Sequence, residues 1–178
     1  MRLVDSYTKD PRIQKLNAII FLTVKPIGER NTFKNLTDFN KYQELVNYAS
    51  DNMVPIGFDS CGCYNFLNSV KNTPHGETYS TYAESCESTL FSIYVNCDGV
   101  VSPCSFTEKI NGTLLETLDT MNEVIDLNNC NDLLMDVWYS NKFNKFRRAL
   151  LSTVDTDNQV GCRYCPAYHL NMKDRKGE

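Results

Sequence analysis

Leu16-Asn17-Ala18-Ile19-Ile20-Phe21-Leu22-Thr23-Val24 is a nearly continuous apolar and β-branched run, closed by Lys25-Pro26-Ile27-Gly28. Such a run, ended by turn residues, has the profile of a parallel strand buried on both faces. Thr37-Asp38 then offers an N-cap, and Phe39, Tyr42, Leu45, Val46, Ala49 and Met53 recur at helical spacing through Met53. Val54-Pro55-Ile56-Gly57-Phe58 supplies a second short apolar run. Strand, helix and strand in this order predict a βαβ unit, whose parallel strands normally belong to a larger sheet with helices on its faces. Two strands and one helix cannot cover themselves. The open faces therefore call for the second half of this chain, an oligomer or another protein.

Where the second strand ends, the sequence turns polar: Asp59-Ser60-Cys61-Gly62-Cys63. Catalytic groups and ligands in α/β folds gather at the carboxyl ends of strands, which makes Asp59 and Cys61 candidate catalytic residues. The same stretch also reads as an Asp and a Ser capping a helix from Tyr64 to Val70, with the thiols incidental, and this is the reading favoured for Cys63.

A chain of 178 residues with 42% hydrophobic content can bury a core as one domain or two small ones. Its net charge of -4 gives a nucleic-acid partner no support. The local basic groups, Lys142, Lys145, Arg147 and Arg148, then Arg163, Lys173, Arg175 and Lys176, read as a solvated helix face and a frayed tail. Arg2, Asp5, Lys9, Asp10, Arg12 and Lys15 precede the first apolar run, which lacks a small-residue cleavage site and is too short to span a bilayer. The expectation is a cytoplasmic chain with reduced thiols and no membrane segment. Compartment decides how the eight cysteines are read, and a reducing one turns them from a disulfide framework toward metal ligands and small buried residues. His75 and His169 have no nucleophile at a recognised spacing, and Gly28 to Arg30 is no phosphate loop.

The second half carries the cofactor argument. Leu90-Phe91-Ser92-Ile93-Tyr94-Val95-Asn96 alternates, Asp98-Gly99 is a hairpin-turn dipeptide, and Val100-Val101-Ser102-Pro103 leads back. Cys86 and Cys104 then fall at one end of this hairpin, while Cys97 flanks the turn at the other. Asp132 begins an apolar-patterned stretch with Leu133, Leu134, Val137 and Trp138, the last read as core. Asn141 is read as the cap of a helix with Phe143, Phe146 and Leu150 on one face. Gly161 ends the loop from Asp155 to Val160 and delivers the pair Cys162-Arg163-Tyr164-Cys165, with a further helix expected from Pro166. Thiolates far apart in sequence, with one close pair, suit a tetrahedral metal or cluster site. Zn²⁺ accepts four such sulfurs, or three with His169 in place of one.

Cys86, twelve residues, Gly99, four residues and Cys104 resembles the opening motif of the SPASM and "twitch" auxiliary-cluster domains of radical S-adenosylmethionine enzymes, and Asp98-Gly99 through Pro103-Cys104-Ser105-Phe106 is similar to its usual wording. In that family the domain follows a partial α/β barrel. Leu16 to Gly28 looks like a late barrel strand, and Gly57-Phe58-Asp59-Ser60-Cys61 like the end of the next. The resemblance implies residues 1-75 as the C-terminal fragment of a partial parallel α/β barrel, and residues 76-178 as a small Cys-rich α+β domain with a β-hairpin and helices. It implies Cys86, Cys104, Cys162 and Cys165 as the four ligands of one 4Fe-4S cluster. The family's Cys-x-x-x-Cys-x-x-Cys loop, which binds the catalytic cluster and S-adenosylmethionine, has no counterpart here, and neither do the later cysteine spacings of a full SPASM domain. The chain looks like the C-terminal half of such an enzyme, not catalytic alone. Its implied partners are an N-terminal radical half, or another protein covering the open sheet, and a peptide or protein substrate. The rival expectation is a zinc-stabilised or cofactor-free interaction module, an adaptor or inhibitor that kept the fold and lost the chemistry.

Overall fold

The computed structural model describes residues 1–25, 38–108, 123–152 and 165. The turn at Pro26-Ile27-Gly28, Thr37, the loop from Asp155 to Gly161, Cys162, Arg163, the helix expected from Pro166, His169, Lys173, Arg175 and Lys176 lie outside them. The described chain divides into two compact units, one holding residues 1–24 and 38–85, the other residue 25 with residues 86–108, 123–152 and 165.

In the first unit, β1 (Ile19–Phe21) and β2 (Ile56–Phe58) pair in parallel with Ile19 opposite Ile56, Ile20 opposite Gly57 and Phe21 opposite Phe58. Between them runs α2 (Phe39–Asp51), whose N-cap Asp38 accepts a hydrogen bond from Asn40 N at 3.0 Å. Tyr42, Val46 and Ala49 are its buried residues, at the spacing of one helical stripe. The crossover is thus the expected βαβ unit, with shorter strands than the apolar runs suggest. Met53 does not continue the helix. It takes a left-handed φ of 53° and is 90% exposed, while Val54 N closes the helix end by donating to Ala49 O.

Burial along this run is also one-sided: Ile19 is 8% exposed, but Ile20 is 55% and Leu22, just past β1, 73% exposed. Among the described residues, the side chains that pack on β1 lie on the side of Ile19, which leaves Ile20 open. Ile19 packs with Val4, Ala49 and Val54, with Tyr7, Phe21, Leu45, Tyr48 and Ile56 around them. Val4 and Tyr7 come from α1 (Arg2–Lys9), a helix that the charged N-terminus conceals. The Tyr48 hydroxyl donates to the Asp5 carboxylate and ties α2 to α1.

After β2, a 3₁₀ turn (Ser60–Gly62) leads into α3 (Cys63–Val70) and then α4 (Gly76–Thr81). Phe58 packs on Phe21, Tyr42 and Phe66 with ring centroids 5.6, 5.5 and 4.8 Å apart, and Phe66 meets Tyr79 at 6.2 Å. This run of rings fixes both later helices on β2. The turn into α4 requires glycine, because a Cβ at Gly76 would sit 2.1 Å from the Val70 carbonyl oxygen.

The second unit is built on a three-stranded antiparallel sheet in the order β3 (Tyr94–Val95), β4 (Val100–Ser102), β5 (Ile125–Asp126). Tyr94 pairs with Ser102, Val95 with Val101, and Val101 with Ile125. The hairpin is the expected one, but its first strand is confined to two residues, since Glu87 to Phe91 fold into turns closed by bonds from Leu90 N and Phe91 N to Glu87 O. The third strand is an addition that the sequence reading lacks.

Beyond β5 come a 3₁₀ turn (Leu127–Asn129), a π-helix (Leu133–Trp138) capped by the Asp132 carboxylate, and α5 (Asn141–Ser152). Val101, Ile125, Val137 and Phe143 form the core. Phe143, Phe146 and Leu150 are buried, as expected for α5, whereas Leu133 and Leu134 are exposed and Trp138 only half-buried. The cap of α5 is Ser140, whose Oγ accepts from Phe143 N at 3.3 Å, and not Asn141.

Candidate metal centre

The hairpin turn sets the position of Cys104. Asn96 Oδ1 accepts from Asp98 N and Val100 N, both at 2.9 Å, and Gly99 takes a φ of 86°, a conformation that favours glycine. A Cβ there would meet Asn128 Nδ2 at 2.7 Å, the amide that donates to Asp98 O and Asp126 Oδ1 and so fastens the turn to β5. At the opposite end of β4, Cys104 opens a turn of its own: Thr107 Oγ1 accepts from Cys104 N at 3.0 Å and donates to Cys104 O at 2.7 Å. Glu108 holds the chain back against β3, accepting from Asn96 Nδ2 at 2.8 Å and from the Tyr94 hydroxyl at 3.2 Å. Burial first, and then that carboxylate, push the Tyr94 phenol above its ordinary range.

Cys86 lies two residues before Ser88, and Ser88 Oγ donates to the carbonyl oxygen of Pro103, the residue before Cys104. One buried hydrogen bond therefore joins the segments that carry Cys86 and Cys104. A second joins the Cys86 segment to α5, the helix that precedes the C-terminal pair: Arg147 Nε donates to Thr89 O at 2.8 Å. The same guanidinium donates to Trp138 O at 3.1 Å and Asn144 Oδ1 at 2.7 Å, and lies 5.0 Å from the Trp138 ring centroid. Arg147 is thus a fastener of three segments rather than part of a solvated face. Lys142 departs further from that reading. It is 5% exposed, its ammonium donates to Glu123 O at 2.7 Å, and burial lowers its pKa against the opposing pull of Glu123.

The described cysteines are thiols outside any disulfide. Cys86, Cys104 and Cys165 are half-buried, Cys97 is exposed at the far end of the hairpin, and Cys162 and His169 lie outside the described residues. Among the described residues no three His, Cys, Asp or Glu side chains gather closely enough to hold a metal ion. The donor chemistry nonetheless fits an iron-sulfur cluster, which takes thiolates from separate elements, and two of the segments concerned are bonded together. Cys130 is a poorer ligand: burial first, and then the Asp136 carboxylate 3.8 Å from its sulfur, raise its pKa and favour the thiol.

In the first unit, Asp59 Oδ1 accepts from Gly62 N at 3.0 Å and Thr23 N at 3.1 Å. One carboxylate thereby caps the turn after β2 and ties it to the end of β1, the capping role that the sequence allows for Asp59. Cys61 is half-buried in that turn, and Cys63 is buried in α3 as ordinary core. Sequence reasoning missed Glu108, Asn128 and Arg147. For Arg147 a signal exists, since it stands one helical turn after the buried Phe143.

Residues 86–166 match the family model of the SPASM domain, described as an iron-sulfur cluster-binding domain. The match begins at Cys86 itself, includes Gly99, Cys104, Cys162 and Cys165, and supports a SPASM-type, iron-sulfur cluster-binding domain over this stretch. No curated protein and no solved structure matches the chain.

Proposed function

We propose that this chain binds one 4Fe-4S cluster through Cys86, Cys104, Cys162 and Cys165, and that it serves as the auxiliary-cluster portion of a radical S-adenosylmethionine system whose radical-generating loop lies outside these 178 residues. The observation that carries the reading is the family match over residues 86–166, which spans all four cysteines. The Ser88–Pro103 bond supports it by holding the segments of Cys86 and Cys104 side by side. When bound, the cluster supplies a one-electron redox centre or a contact to substrate. The four thiolates hold it, and because ligand binding and local folding are coupled, the final convergence of the sulfurs accompanies loading. The first unit, read as the late strands of a partial barrel, exposes Ile20 and Leu22, and these are the surface that an N-terminal half would cover.

The test is anaerobic purification with iron, acid-labile sulfide and zinc analysis beside an absorption spectrum. A brown protein with stoichiometric iron and sulfide is expected, and the Cys86→Ala, Cys104→Ala and Cys165→Ala variants should each lose the cluster while Cys97→Ala keeps it. Colourless protein containing zinc would establish the metal-stabilised interaction module instead. Equal iron in all four variants would refute the ligand set.

A further inference from the structure

Thr89 concentrates two local penalties in one residue. It is fully buried, and its Oγ1 has no hydrogen-bond partner among the described residues. Its φ is 60°, in the left-handed region where a β-branched side chain crowds the backbone. The surrounding bonds hold it in this conformation: Thr89 N donates to Ser92 O at 2.9 Å, Thr89 O accepts from Arg147 Nε at 2.8 Å, and the neighbouring Ser88 is bonded to Pro103. The main chain of Thr89 is thus satisfied on both sides while its hydroxyl is not. Strain and an orphaned buried donor in one place point to a group that the polypeptide does not itself provide.

Position narrows the chemistry of that group. Thr89 stands three residues after Cys86, and through Ser88 its segment is bonded to the residue before Cys104. Resting on the cluster reading above, we propose that Thr89 Oγ1 donates a hydrogen bond to a sulfur of the cluster and thereby raises its reduction potential. The reduced cluster carries one more negative charge than the oxidised one, so a donor to sulfur stabilises it more. Thr89 is a positioning residue that tunes the centre without ligating it.

The experiment uses the full chain, loaded with cluster under anaerobic conditions, and compares wild type with Thr89→Val, which removes the hydroxyl at constant shape, and Thr89→Ser, which restores it. Iron and sulfide content should be the same in all three. The potential from a mediated redox titration should shift downward in T89V and return to the wild-type value in T89S. An exchangeable proton coupled to the reduced cluster, detected by electron-nuclear double resonance in H₂O against D₂O, should be present in wild type and T89S. Should T89V fail to fold, Thr89→Ala carries the same expectation. A loaded wild type without such a proton, or a loaded variant at the wild-type potential, overturns the proposal alone. A wild type that takes up zinc or no metal overturns this proposal and the cluster reading together.

Discussion

Lys142 places an ammonium in the interior next to the first turn of α5, held by a single carbonyl. Burial of the charge lowers its pKa below the ordinary 10.5. Between the folded pKa and 10.5 the unfolded chain binds more protons than the folded one, so stability contributed by this residue is absent at neutral pH and rises as the solution becomes alkaline. The Lys142→Met variant should therefore show a flatter dependence of Tm on pH in that range, checked by thermal melts at stepped alkaline pH. The residue was legible in principle. Lys142, Phe146 and Leu150 follow one another at four-residue intervals and share a stripe of α5, but a run of four basic residues reads as solvated unless each is placed on the wheel.

Elements with a long period and a good cap were the readable ones. α2 is announced by Asp38 and by the recurrence of Tyr42, Val46 and Ala49, and Asp38→Ala should lower stability by about 1 kcal/mol with the end state otherwise intact, as measured by urea unfolding at constant m. The parallel pair follows from the apolar runs on either side. What escaped has physical causes. β5 spans two residues, too few to establish an alternation, and exists because Ile125 meets Val101 across the sheet. α1 mixes charge with only Val4 fully buried, so its amphipathic face is narrow. Met53 continued the helical spacing but stands one step past the C-cap Asn52, inside the turn that the bond from Val54 N to Ala49 O closes, and periodicity alone does not mark that reversal.

At the scale of the whole molecule, each unit has a core cluster of its own among the described residues, and the cysteines of the candidate centre lie in the second. On the cluster reading, stripping the cluster with a strong chelator should therefore raise amide hydrogen exchange around β3, β4 and Cys104 while leaving α2 and α3 protected, because metal-binding energy acts as folding energy only where the ligands reside. The SPASM-type stretch was recognisable from Cys86, Gly99 and Cys104 because their spacing is a local pattern. Glu108, Asn128 and Arg147 were not, because each has a partner far along the chain: Asn96 at a separation of 12 for Glu108, Asp98 at 30 for Asn128 and Thr89 at 58 for Arg147. No described helix is long and apolar enough to cross a membrane.

The guanidinium of Arg147 has a consequence for the order in which this half comes apart in acid. Thiolates release metal as they take up protons, whereas an arginine keeps its proton at every accessible pH. Its contacts to Thr89 O, Trp138 O and Asn144 Oδ1 do not depend on the same equilibrium. On the cluster reading, loss of the cluster on acidification should thus precede dismantling, leaving an emptied cradle that takes up a new cluster after neutralisation only when iron and sulfide are supplied, without passing through the unfolded chain.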